Sequence, residues 1–144
     1  IPVTDIDRAT KFYKSVFPGT KLLRRDKMPD GKTVVVVFEI DGQKFMALNG
    51  GPAFKQTEAF SIVVSCKTQA EVDSLWTKLT ADGGQESMCG WLKDKFGVSW
   101  QITPDVLIER MLDKDPAKSK RVMDAMLQMK KIDIQKIEDA YEGK

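Results

Sequence analysis

The hydrophobic period of this chain changes between 3.6 and two residues in one order, and then the order begins again. From Asp5 the apolar positions Ile6, Ala9, Phe12, Tyr13, Val16 and Phe17 recur at helical spacing, with Asp5 as N-cap and Pro18 and Gly19 as a stop. Before them, Ile1, Pro2 and Val3 read as the tail of a strand, and the missing initiator methionine points to further sequence upstream. Lys21 to Arg25 then predicts a short strand, Pro29, Asp30 and Gly31 a turn, and Thr33 to Ile40 a valine-rich strand. Asp41 and Gly42 signal a hairpin into Gln43 to Asn49.

The second pass starts at Ala59 to Cys66, where Phe60, Ile62 and Val64 alternate with Ser61, Val63 and Ser65 as in a half-buried strand. Thr68 and Glu71 form a capping box for a helix that buries Ala70, Val72, Leu75, Trp76 and Leu79 and ends at Gly83 and Gly84. Three short strands follow, Gln85 to Met88, Gly90 to Asp94 and Val98 to Thr103, with Phe96 and Gly97 turning the last pair. Beyond Pro104 the period is helical again: Val106 to Leu112, then a helix capped by Asp115 with Pro116 first, and a last one from Asp133 to Tyr141. Val122, Met126 and Met129 share one face, which reads as core or oligomer interface ahead of an adaptable binding surface.

Two successive βαβββ units explain this order better than a Rossmann sheet, whose helices alternate singly with parallel strands. The expected fold class is α+β, one domain over residues 1–144, with module one at 1–50, module two at 59–103 and a helical extension at 104–144. The length suits one domain of about 100–150 residues. Asn49, Gly50, Gly51 and Pro52 read as the inter-module turn; they lack the lysine and the following helix of a phosphate cradle.

Composition narrows the partners. The 23 basic residues nearly balance the 21 acidic ones and are dispersed, so no field draws nucleic acid or anionic lipid, and a small neutral ligand or a protein partner is favoured. No apolar run approaches the roughly 20 residues that span a bilayer, and no leader precedes one, so the expected location is cytoplasmic. Cys66 and Cys89 are too few for a disulfide framework and read as free thiols. The chain has no histidine, and therefore lacks the usual general base and the usual transition-metal ligand.

Several runs resemble the PhnB-like branch of the vicinal oxygen chelate superfamily, which includes glyoxalase I, extradiol dioxygenases and bleomycin-resistance proteins. They are Phe12, Tyr13, Phe17 and Pro18; Asp41 to Pro52; Cys89 to Gln101, the most specific; and Asp115 to Lys118 with Arg121 to Met123 and Met129 to Asp133. The resemblance covers about Asp5 to Glu142. It implies a glyoxalase/bleomycin-resistance-like fold, usually a homodimer, with a metal on histidines and glutamates of strands one, four, five and eight. Members often carry the label demethylubiquinone methyltransferase.

This sequence departs from the implied ligand set. Gln101 stands where the eighth-strand glutamate is expected, Ser61 falls near the fifth-strand histidine position, and Met46, or Ala47 with a one-residue slip, takes the fourth-strand place. An amide, a hydroxyl and a thioether are poor partners for a borderline metal, so no metal and no other cofactor is expected. Alternation turns Ser99, Gln101 and Thr103, with Ser61 and Ser65, toward a polar, largely uncharged cup. Glu39 has the opposite parity to Val34, Val36, Phe38 and Ile40: it reads either as a desolvated base or anchor on that face or as a solvated strand-end residue. Gln101 reads as a two-way amide anchor or a satisfied structural glutamine, and Trp91 as a stacking platform for a planar ring or a core residue. Cys89 has no histidine to activate it.

The leading functional expectation is a protein that binds a small molecule in the cup without the usual metal. The alternative is an enzyme, either a methyltransferase acting on a demethylated quinone, as the label implies, or a divergent metal-dependent lyase or oxygenase. The methyltransferase reading lacks the Gly-rich loop and Rossmann-type sheet of a usual methyl-donor site.

Overall fold

Asp5 opens the first helix: its carboxylate accepts the Arg8 N–H at 3.0 Å, and helix α1 (Ile6–Val16) ends where the Phe17 N–H returns to the Tyr13 carbonyl. A computed structural model describes all 144 residues. They fall into two compact units, Ile1–Gln56 and Thr57–Lys144.

In the first unit, strands β1 (Pro2–Val3), β2 (Lys21–Lys27), β3 (Thr33–Ile40) and β4 (Gln43–Asn49) form a sheet in the order β1-β4-β3-β2. The β1–β4 pair is parallel and the others are antiparallel. Asp41 and Gly42 both take positive φ, 46° and 80°, as a two-residue primed hairpin turn requires. Val36, Phe38 and Ile40 bury against α1, where Tyr13 stacks on Phe38 with ring centroids 6.0 Å apart. That fixes the parity of the sheet, and Val35, Val37 and Glu39 point to its other, open face.

The second unit repeats the order. Strand β5 (Ile62–Cys66) leads to helix α2 (Gln69–Thr80), and β6 (Gln85–Glu86), β7 (Trp91–Lys93) and β8 (Ser99–Pro104) complete a sheet ordered β5-β8-β7-β6. The Thr68–Glu71 capping box forms as the sequence predicts. Val72, Trp76 and Leu79 of α2 are buried, as are Leu92, Trp100 and Ile102 on the facing parity of the sheet.

Three strands are shorter than their sequence pattern. Strand β5 begins at Ile62 rather than Ala59, because its parallel partner offers Trp100 to Ile62 and the chain before it turns at Thr57, whose hydroxyl accepts the Ala59 N–H. Phe60 therefore stands 67% exposed outside the strand instead of extending its buried row. Strands β6 and β7 stop short of Met88 and Gly90 because Cys89 and Gly90 take left-handed φ of 58° and 81°, closed by the Trp91 N–H on the Met88 carbonyl.

After β8 come α3 (Asp105–Met111), α4 (Pro116–Met126) and α5 (Ile134–Glu142), with Asp115 and Asp133 as N-caps. Leu107, Val122, Ile132 and Ile137 form their core, with Met126 and Met129 packed against it, so these methionines fill core. Each fully buried aliphatic contributes about 1.5–3 kcal/mol relative to exposure, which a short three-helix segment needs.

Backbone bonds tie this segment to the sheet. Cys89 and Gly90 donate to the Met129 and Lys130 carbonyls, both at 2.7 Å. The Gln69 amide spans the same stretch, donating to the Ile132 carbonyl and accepting the Ile134 N–H. No helix is long and apolar enough to cross a membrane.

Candidate functional site

Register decides which side chains share the open face of the second sheet. Trp91 lies opposite Gln101, Lys93 opposite Ser99 and also Gln85, and Val63 and Ser65 beside Gln101 and Thr103. Trp100 and Ile102 have the other parity and are buried on the helix side.

Two expected site residues meet here: the Gln101 Nε2 donates to the Ser61 Oγ at 2.8 Å. The bond uses one of the amide's two donors and leaves its carbonyl oxygen to solvent or a ligand. Trp91, the cross-strand partner of Gln101, is also a wall of a cleft of about 120 Å³ that Lys93, Ser99, Gln85, Glu86 and Glu58 line with it, while Gln101 and Ser61 themselves stand outside that lining. An engineered apolar cavity of about 150 Å³ holds a benzene, so the space suits one ring.

The cleft's polar groups are unequally engaged. Ser99 is 3% exposed, and its Oγ is the one buried side-chain polar atom of the chain without a hydrogen-bond partner. Lys93 is ion-paired with Glu58, and that hydrogen bond holds the Glu58 carboxyl below its ordinary range. Both carboxylate oxygens of Glu86 have partners: Oε1 accepts the Trp76 indole N–H at 2.7 Å, and Oε2 lies 3.9 Å from the Lys130 ammonium.

The first unit holds the other two candidates. Met46 is 53% exposed opposite Val37 on the open face, whereas Ala47 is buried against the helix side opposite Val36, so register selects Met46 for that face. Glu39 shares the face, but it is paired with Lys21 at 3.2 Å and lies opposite Lys44 rather than isolated among valines.

The most specific sequence run has a structural explanation. Asp94, 3% exposed, accepts the Phe96 and Val98 N–H groups on Oδ1 and the Trp100 indole N–H on Oδ2. One carboxylate thus closes the β7–β8 turn and fixes the tryptophan behind it. Cys66 is inert in its setting: burial pushes its thiol up to about 11.

Sequence reasoning placed Ser99 on this face without detecting that it is unpartnered, and missed Lys93 and Glu58. Lys93 was within reach, because counting back from the Gly97 turn pairs it with Ser99. Glu58 gave no signal, since its loop has no periodicity to orient it.

Residues 3–103 match the family described as 3-demethylubiquinone-9 3-methyltransferase. The chain is similar to the PhnB protein of Bacillus cereus at 31% identity and TM-score 0.62, over 68% of this chain and 89% of that one. Protein PA1353 from Pseudomonas aeruginosa matches at 20% identity and TM-score 0.59, over 71% and 90% of the two chains. The fosfomycin resistance protein FosX of Listeria monocytogenes, solved with manganese(II), matches at 16% and 0.55, over 69% and 83%. These last two bear on the fold alone, which is α+β and of the glyoxalase/bleomycin-resistance type. No curated protein matches the chain.

The residues do not fit the metal that this fold type implies. Gln101, Ser61 and Met46 offer an amide, a hydroxyl and a thioether, and nowhere do three histidine, cysteine, aspartate or glutamate side chains converge. A usual methyl-donor site fits no better: the two sheets are mixed and four-stranded, and Gly50 and Gly51 lead only into the short 3-10 turn Gly51–Ala53.

Proposed function

This chain belongs to the PhnB-like, 3-demethylubiquinone-9 3-methyltransferase family of the vicinal oxygen chelate superfamily, and from that premise we propose that it binds a small molecule without a metal on the open face of its second sheet. The observation that carries the reading is the Gln101–Ser61 hydrogen bond on the face where Trp91, across the β7–β8 pair from Gln101, walls a ring-sized cleft. At positions where the superfamily resemblance implies metal ligands, this chain holds an amide–hydroxyl pair with an acceptor oxygen to spare. Such a pair orients a neutral or hydrogen-bonding group, and the indole supplies a flat apolar wall.

A thermal-shift screen against a panel of ring compounds tests it. A ligand at 100 times its dissociation constant stabilises the folded state by about 2.7 kcal/mol. A positive shift that Gln101→Ala weakens is expected; shifts in no chemical class, or shifts indifferent to both Gln101→Ala and Trp91→Ala, would remove the reading.

The second reading is methyl transfer to a demethylated quinone, which the family's description favours. Incubation with the usual methyl donor and a demethylated quinone decides it. Product above a no-protein control would replace binding by catalysis.

A further inference from the structure

We propose that the cleft beside Trp91 is a receptor for a small ring-bearing carboxylate, and that Glu58 is a built-in competitor for its anion position. This rests on the small-molecule reading above and gives its ligand a charge that the overall composition conceals.

Lys93 is the one cation lining the cleft, and it sits directly across the β7–β8 pair from Ser99. Both side chains leave the same face and line the same cleft, so an ammonium and a hydroxyl are available to one carboxylate, each offering a donor. Ser99 Oγ is enclosed and unpartnered, a condition that disfavours the folded state until a polar atom meets the hydroxyl.

A carboxylate already occupies half of that site. Glu58 is paired with Lys93, but its side chain is 64% exposed while that of Lys93 is 31% exposed. It is carried on the loop before β5 rather than on a strand. An exposed pair of this kind is weakened by solvent and salt, so an incoming carboxylate that also gains the Ser99 hydroxyl and the Trp91 ring can displace it.

Charge accounting agrees. With Glu58 in place the Lys93 charge is neutralised, and Glu86 is met by Trp76 and Lys130. With Glu58 swung out, one cation remains in a space sized for one ring, which matches a monoanion.

The probe pair is benzoate and its neutral isostere benzamide, titrated calorimetrically into the full chain. Benzoate should bind about tenfold more tightly than benzamide, the effect of one charge-assisted hydrogen bond. Lys93→Met should bring benzoate down to the benzamide level, and Ser99→Ala should weaken it severalfold. Glu58→Gln should tighten benzoate severalfold and leave benzamide unchanged, a gain that a poorly folded variant does not produce.

Equal binding of the two probes, or a Glu58→Gln variant that binds benzoate no better, overturns the carboxylate assignment while leaving small-molecule binding intact. Binding of neither, together with no shift from any ring compound in the thermal panel, overturns both readings.

Discussion

Replacing Asp94 with asparagine is expected to destabilise the protein by about 3 kcal/mol, and the figure follows from its three hydrogen bonds. The buried carboxylate accepts the Phe96 N–H at 2.8 Å, the Val98 N–H at 3.1 Å and the Trp100 indole N–H at 2.9 Å. An asparagine in the same rotamer keeps a carbonyl oxygen for the two backbone amides but turns its NH2 toward the indole, donor against donor. A bond to a charged acceptor contributes about 1.5–3 kcal/mol and a neutral one about 0.5–1.5. The variant therefore loses about 2 kcal/mol at Trp100 and a further 1–2 at the two amides, partly offset by no longer burying a charge. For a chain of this size the melting temperature should fall on the order of 10 °C. Urea unfolding followed by far-ultraviolet circular dichroism measures it, with Trp100→Phe made in both backgrounds. Because that change removes the indole donor, Asp94→Asn should cost about 1–2 kcal/mol less beside it. A loss under about 1 kcal/mol for Asp94→Asn, or strict additivity within about 0.5 kcal/mol, would refute the reasoning.

Gly90→Ala should cost at least about 2 kcal/mol in the same assay. The residue sits at φ +81°, and an added Cβ would meet the Ile102 carbonyl oxygen at 2.9 Å and the Ile132 side chain at 3.2 Å. Cys66, buried and with its thiol pushed up to about 11, should resist a disulfide reagent at pH 8 and react only on unfolding; prompt labelling of both cysteines in the folded protein would contradict this. Asp73 and Asp113 are held below their ordinary 3.8, Asp73 first by the Lys131 ammonium and Asp113 first by the Asp115 N–H and then the Tyr141 hydroxyl. Depressed carboxyls stabilise fully above the unfolded value and lose that contribution as pH falls through their folded values. Unfolding midpoints should thus hold from pH 7 to 5 and drop below about pH 4, less steeply in Asp113→Asn.

What the sequence made legible was what depends on neighbours along the chain. Asp5, Thr68 with Glu71, Asp115 with Pro116, and Asp133 cap helices through residues two to four positions away, and each helix starts where its cap says. Asp41 and Gly42 set the β3–β4 register by themselves, and with it the open-face position of Met46. The Gln101–Ser61 bond needs the parallel pairing of β5 with β8, which no local pattern encodes, so alternation supplied their common face but not their contact. The Lys93–Glu58 and Glu39–Lys21 pairs were hidden for a related reason: one depends on a loop's path, the other on a β2 register interrupted by a bulge between Leu22 and Arg24. The truncated start of β5 shows the limit from the other side, since alternation continues through Phe60 after the partner strand has run out.

The bonds from Cys89 and Gly90 to the Met129 and Lys130 carbonyls, and the Gln69 clamp on Ile132 and Ile134, also set a timetable for synthesis. Residues 1–56 contain every strand of their own sheet, so the first unit can close while the rest of the chain is still being translated. The second cannot finish in that order: its strands are all made by Pro104, yet the loop at 89–90 waits for partners 40 residues later and the start of α2 for partners 63 and 65 residues later. On the ribosome this chain should therefore hold one settled half and one half kept unfinished until its last helices emerge, and the unfinished half is the one a holding chaperone would meet.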